Sequence, residues 1–148
     1  MFVLDTNVVS ELMRVEPAKA VIDWLDAQPA TDLWLTAIAA AELLYGATRL
    51  PHGRRRAALT ERIEAMLAED FAQRVLPFDE VAAAHYADIA ASREVAGRPI
   101  SMADAQIAAI VRSHGAILVT RNVTDFTGTG VTIVDPWDPA AGVGASKT

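Results

Sequence analysis

The chain has no cysteine among its 148 residues, so no disulfide staples the fold and no thiolate can bind a metal. Lysine is nearly as scarce. Only Lys19 and Lys147 occur, and every other basic side chain apart from the histidines is an arginine. No apolar run approaches the ~20 residues that cross a bilayer. No basic segment precedes the first apolar residues, so neither a membrane span nor a cleaved leader is expected, and the cytoplasm is the expected compartment. Glycine-rich phosphate loops are missing. His52, His85 and His114 are scattered without metal-ligand spacing and read as surface or helix-end residues.

What remains is a length suited to one domain with a proper core. The net charge of −6 argues mildly against a general nucleic-acid binder, because phosphate contacts come from Lys and Arg. The distribution qualifies that sum: Arg49, Arg54, Arg55, Arg56 and Arg62 crowd into fourteen residues. This is a basic patch on an acidic protein.

Short apolar runs alternate with helical patterns. Phe2-Val3-Leu4, Leu33-Trp34-Leu35, Val75–Phe78, Ala116–Val119 and Val131–Val134 read as strands. Pro77 cannot donate to a central ladder, so its strand is expected at an edge. Pro17 suits the first turn of a helix bearing Val21, Ile22 and Leu25. Thr36, Asp79 and Ser101 are expected to cap helices ending near Leu50, Ala96 and His114. A polar-faced helix is expected from about Arg54 to Glu69, and residues 142–146 read as a frayed tail. The pattern predicts an α/β three-layer fold around a mainly parallel sheet. Trp24, Trp34 and Trp137 fit core or interface packing better than base stacking.

Ligands of open parallel sheets bind beyond the carboxyl ends of the strands. Asp5, in LDTNVVSEL (4–12), follows the first strand. Asn122 and Asp125, in TRNVTDF (120–126), follow the strand at 116–119. Glu42 lies in the helix after the second strand, and Asp104 in the first turn after Ser101. Singly, each has a structural reading: strand-end punctuation for Asp5, a Ser-x-x-Asp capping pattern for Asp104, a turn for Asp125. Glu42 is flanked by Ala40, Ala41, Leu43 and Leu44, where a buried carboxylate would need compensation. Together the four matter more, since two carboxylates ~4 Å apart repel by about 4 kcal/mol at an effective dielectric near 20. Arg121 alone cannot neutralise four acids. Oxygen-only ligation favours Mg²⁺ or Mn²⁺.

These residues, in this order, resemble a PIN domain, and more narrowly the VapC/FitB group of ribonuclease toxins. The resemblance spans LDTNVVSEL, Glu42 in AAAELLYGA, Asp104 in ISMADAQIAA and LVTRNVTDF. It implies a PIN domain over 1–135 with a short C-terminal tail at 136–148. It further implies a Mg²⁺/Mn²⁺ pocket, RNA cleavage to 5′-phosphate and 3′-hydroxyl ends, homodimers, and a VapB-like or FitA-like antitoxin joining a tetramer or larger assembly. Asp5, Glu42 and Asp104 match the family's three core acids. Many relatives carry Asp where this chain has Asn122, so Asp125 is the candidate fourth acid and Asn122 a polar helper.

The expected chemistry is attack of a metal-activated water on a phosphodiester. Asp5 and Asp104 would be the principal ligands and Glu42 and Asp125 the rest of the shell, with Thr6, Asn7 and Thr120 in support. The arginines from Arg49 to Arg62 would meet RNA phosphates or an acidic antitoxin tail; a solvated helix face is the competing reading. A haloacid-dehalogenase-like phosphatase would want a second Asp at position 7, which is Asn7, and it and receiver domains need a lysine this chain does not offer there. The remaining alternative is a PIN scaffold that binds protein or nucleic acid without turnover.

Overall fold

The computed structural model describes residues 1–138 and the backbone of 144–145. In chain order the elements are β1 (Phe2–Leu4), α1 (Thr6–Leu12), α2 (Lys19–Asp26), β2 (Leu33–Thr36), α3 (Ala37–Thr48) and α4 (Arg54–Ala65). Then follow β3 (Val75–Leu76), α5 (Glu80–Val95), α6 (Met102–Ser113), β4 (Ile117–Val119), β5 (Thr132–Val134) and β6 (Gly144–Ala145). The sheet order is β3-β2-β1-β4-β5-β6; β1 to β5 run parallel and β6 antiparallel.

Strands this short suffice because alternate residues face opposite layers. Val3, Leu118 and Ile133 stand side by side in register and enter the core formed with Ile89 of α5 and Ile107 and Ile110 of α6. Leu4 and Val119, one residue on, enter the opposite core with Val8 and Val9 of α1, Val21 of α2, Leu43 of α3 and Ile63 of α4. The three-layer parallel architecture is therefore present, with β3 at the edge as Pro77 requires.

Three expected caps form: Thr36 Oγ1 accepts from Ala39 N–H, Asp79 Oδ1 from Ala82 N–H, and Ser101 Oγ from Asp104 N–H. Gly97 and Gly115 follow the C-caps of α5 and α6 with φ of +72° and +59°. There Gly115 N–H bonds Arg112 O and Ala116 N–H bonds Val111 O, the paired bonds that close a helix at a left-handed glycine. Ser101→Ala should lower stability by about 1 kcal/mol, read as a shift in the urea midpoint at constant slope. An unchanged midpoint would show that the cap contributes nothing.

Four expectations shift. Residues 6–12 form a helix that was not anticipated. The second helix begins at Lys19, with Ala18 as its N-cap and Pro17 outside it. Ala18 is held extended, and its N–H is taken by Glu11 Oε2 at 3.0 Å, so the entry is set by a residue seven positions earlier. α4 stops at Ala65 and a π turn, Met66–Asp70, completes the segment. In the stretch expected to fray, Gly144–Ala145 pairs with β5, because the outer side of β5 is otherwise an open edge. Residues 142, 143 and 146 lie outside those described.

Candidate active site

Chain order reverses across β1, since β2 and β3 lie on one side and β4 and β5 on the other. Such a reversal leaves a crevice at the carboxyl ends of the strands. Asp5 leaves β1 there and Thr120 leaves β4, with Asp5 N–H bonded to Val119 O at 2.9 Å.

Asp5 also caps α1, so its structural and chemical readings coincide. Oδ1 accepts from Thr6 N–H at 2.8 Å; Oδ2 accepts from Thr120 Oγ1 at 2.8 Å and Asn7 Nδ2 at 3.3 Å. The residue is only 4% exposed. Burial pushes its carboxyl from 3.8 up to about 6, against the hydrogen bonds from Thr120 and Thr6, while the charges of Asp104 and Glu42 push it further. Thr120, itself fully buried, also takes Asn122 N–H and Asn7 Nδ2, so one hydroxyl ties β4's exit to α1.

Glu42 is exposed, contrary to the burial its apolar neighbours suggest. α3 buries Ala39, Ala40, Leu43 and Ala47, and Glu42 points the other way. That outward face is turned to the crevice, where Thr6 Oγ1 donates to Glu42 Oε1 at 2.8 Å. Asp104 is half-buried in the first turn of α6. Its carboxyl is raised chiefly by burial, with Asp125 and Glu42 adding and the Ser101 hydroxyl and Arg93 opposing.

Asp5, Glu42 and Asp104 thus line one cavity of about 500 Å³, and Thr6, Asn7 and Asn122 line it with them. Asp125 does not. It is exposed, reaching the others only through its charge on Asp104, whereas Asn122 lies in the wall. Among the described residues no three acids converge closely enough to form a ligand cluster. The acids share a field rather than a point.

Five wall or support residues have roles that sequence reading did not assign. Glu11 is buried, and its carboxyl is lowered first by Ala18 N–H and then by Arg14 and Arg121. Arg14 pairs with it at 3.1 Å. Asn7, Glu11 and Arg14 recur at helical spacing, so recognising α1 would have placed them on one face. Trp137, assigned to packing, does rest on the second core but also lines the cavity, with the Arg121 guanidinium 4.9 Å over its ring. Arg93 is buried on α5 and donates to three backbone carbonyls, those of Arg98, Asp125 and Thr127. Its place eleven residues after Ala82 and four after Ile89 was the available signal: Ala82, Ile89 and Arg93 share the buried face.

The basic patch divides. Arg55 and Arg62 line a second cavity that shares Arg14 with the acidic one. Arg49 lies 5.5 Å over the Tyr45 ring, Arg56 is 3.4 Å from His52, and Arg54 is exposed. No described helix is long and apolar enough to cross a membrane.

Residues 2–127 match the family model described as PIN domain. The chain is 44% identical over 140 residues to the VapC ribonuclease Y4jK of Sinorhizobium fredii, covering 95% of this chain and all of that one. It is 40% identical to Toxin FitB of Neisseria gonorrhoeae, covering 93% and 99%. A solved structure of FitAB bound to an IR36 DNA fragment superposes with a TM-score of 0.86 at 39% identity, covering 93% of this chain and 96% of that one.

Proposed function

This chain belongs to the PIN domain family, and from that premise we propose that it is the toxin of a toxin–antitoxin pair, acting as a Mg²⁺- or Mn²⁺-dependent endoribonuclease. The observation that carries the reading is the crevice at the strand reversal. There Asp5, Glu42 and Asp104 line one cavity, and burial and mutual repulsion raise the carboxyls of Asp5 and Asp104. The names VapC ribonuclease and Toxin FitB, borne by relatives that align over nearly their whole length, support it.

The donor set suits a hard divalent cation. Its acids offer oxygen only, and Asp104 and Asp5 each feel carboxylates that no lysine neutralises. Asp5 and Asp104 would hold the ion, with Glu42 beside them and Asp125 acting through its charge. When bound, such an ion lowers the pKa of a coordinated water and takes up charge on phosphoryl oxygens. The protein's own contribution is orientation. Thr120 and Thr6 N–H fix both oxygens of Asp5, and the Thr6 hydroxyl turns Glu42 toward the cavity. Arg93 holds the backbone of the segment bearing Asp125. A VapB-like or FitA-like antitoxin, in line with the solved FitAB neighbour, and a homodimer complete the proposal.

Purified protein incubated with total RNA should produce new, mappable 5′ ends with Mg²⁺ or Mn²⁺ and none with EDTA. Cleavage that survives EDTA would overturn the metal-dependent reading. No cleavage under any metal would leave a scaffold that acts by binding.

A further inference from the structure

We propose that the cleft bounded by the flank of α5, the end of α6 and the turn after Phe126 is a binding site for a small phosphate dianion, separate from the acidic crevice. Asp88 and Arg93 of α5, Arg98 just beyond it, Arg112 of α6, Thr127 and Gly128 line a cavity of about 290 Å³. None of its lining residues belongs to the acidic cavity.

The chain carries a net charge of −6, yet this cavity gathers three guanidiniums against one carboxylate, an excess of two positive charges. Asp88 is already taken. Arg112 Nη2 holds its Oδ2 at 2.5 Å, while Nη1 reaches Thr129 O at 3.4 Å. Arg93 is only 7% exposed and, among the described residues, has no carboxylate within 4.0 Å. Its Nε and Nη1 are spent on the carbonyls of Arg98, Asp125 and Thr127, which leaves Nη2 without a bond to any described residue. Asp104 feels the Arg93 charge but lines the other cavity. Arg98 is exposed, and its guanidinium makes no hydrogen bond or ion pair with a described residue. A buried cation held only by neutral carbonyls is costly, and an anion in the adjoining cavity offsets that cost.

The excess charge selects the ligand. A phosphate group carries about −1.5 to −2 near neutral pH and matches two uncompensated cations, whereas a single carboxylate would leave one of them unmet. Guanidiniums meet phosphate oxygens two at a time through paired N–H groups. The volume falls at the small end of the roughly 300–1,000 Å³ typical of ligand sites, which suits a phosphate group better than a peptide or a polymer. The wall is built for it as well. Thr127 at φ −62°, ψ 136° followed by Gly128 at φ +78° forms a type II turn, whose third position calls for glycine. Arg93 clamps that turn through Thr127 O, so a phosphate held by Arg93 and Arg98 braces the turn on its open side.

Isothermal titration of the full chain with inorganic phosphate and with a nucleoside 5′-monophosphate tests the site, at an ionic strength held constant with chloride. EDTA in the buffer keeps any cation from recruiting phosphate to the acids. Wild type should bind one equivalent saturably. Arg98→Ala should weaken binding by roughly 10-fold or more, the scale of one charge-assisted contact, and Arg98→Lys should retain part of it. Because the Arg98 side chain is exposed and unpaired, its alanine variant should melt as wild type does in phosphate-free buffer. Arg55→Ala, in the other basic cavity, should bind as wild type does. Amide exchange at 127–130 should slow when phosphate is added to wild type. Equal affinities for the two probes assign the site to free phosphate and a tighter monophosphate assigns it to a nucleotide; either upholds the phosphate site. Absence of saturable binding, or an affinity that Arg98→Ala leaves unchanged, would overturn it. So would a loss on Arg55→Ala alone, which would move the anion to the other cavity. A glutamate-rich peptide that binds through Arg98 where both phosphate probes fail would make the cleft a protein contact instead.

Discussion

Asp5→Asn is expected to yield a protein that is inactive yet more stable than wild type at neutral pH. Asp5 is buried among its bonds to Thr6, Thr120 and Asn7, and its carboxyl sits at about 6 instead of 3.8. A group whose folded-state pKa is raised costs the fold nothing below its unfolded value. The cost grows as pH rises from 3.8 and is complete above about 6. That difference corresponds to about 3 kcal/mol. Asparagine is neutral throughout and escapes the cost, but with its oxygen kept on Thr6 N–H its amide nitrogen replaces the acceptor of both Thr120 Oγ1 and Asn7 Nδ2. At about 1 kcal/mol for each lost bond, the net gain should be about 1 kcal/mol at pH 7.5 without added metal. Urea titrations should show wild type the more stable below pH 4 and the variant overtaking it as pH approaches 6. RNA cleavage should fall by more than roughly 100-fold, beyond the usual cost of removing a partner outside a ligand shell. A variant that melts no higher than wild type would refute the burial cost. One that still cleaves would remove Asp5 from the chemistry.

Arg93→Ala should have the largest structural effect of any single change to a charged residue near the site. The guanidinium is buried, and its bonds to Asp125 O (2.9 Å), Thr127 O (2.8 Å) and Arg98 O (2.6 Å) join the end of α5 to the segment after β4. Hydrogen bonds from a charged donor are worth about 1.5–3 kcal/mol each, and the carbonyls left behind are poorly solvated. A loss of about 3–5 kcal/mol is expected, lowering Tm by roughly 10 °C or more in a domain of this size. Asp104 also loses a nearby positive charge that partly opposes the rise of its carboxyl. A Tm within 3 °C of wild type would show that solvent or neighbouring side chains replace all three bonds.

Some elements were legible because their causes are local. The strands at 2–4, 33–36 and 117–119 are short apolar runs, and Thr36, Asp79 and Ser101 cap the helices that the pattern predicts. α1 escaped notice because its start is the same Asp5 that ends the strand, leaving no loop to mark the boundary. Glu42 was placed correctly for the wrong reason: its apolar neighbours face the core while it faces the cavity. Trp137 packs on the second core as expected, and only the structure adds that the same half-buried ring also lines the cavity. At the fourth acidic position, identity favoured Asp125, but geometry puts the neutral Asn122 in the wall.

By itself the sequence determined the alternation of strands and helices, the shortage of lysine, and the four acids that follow or flank the strands. Those depend on residue type and spacing along the chain. Only the tertiary structure decided that β1 lies between β2 and β4, which brings Thr120 onto Asp5 across 115 residues and opens the crevice between them. It alone set Arg121 over the Trp137 ring and buried Arg93 against the backbone of Asp125. Such meetings follow from the packing of both faces of the sheet, and no local pattern encodes which distant residues will share a wall.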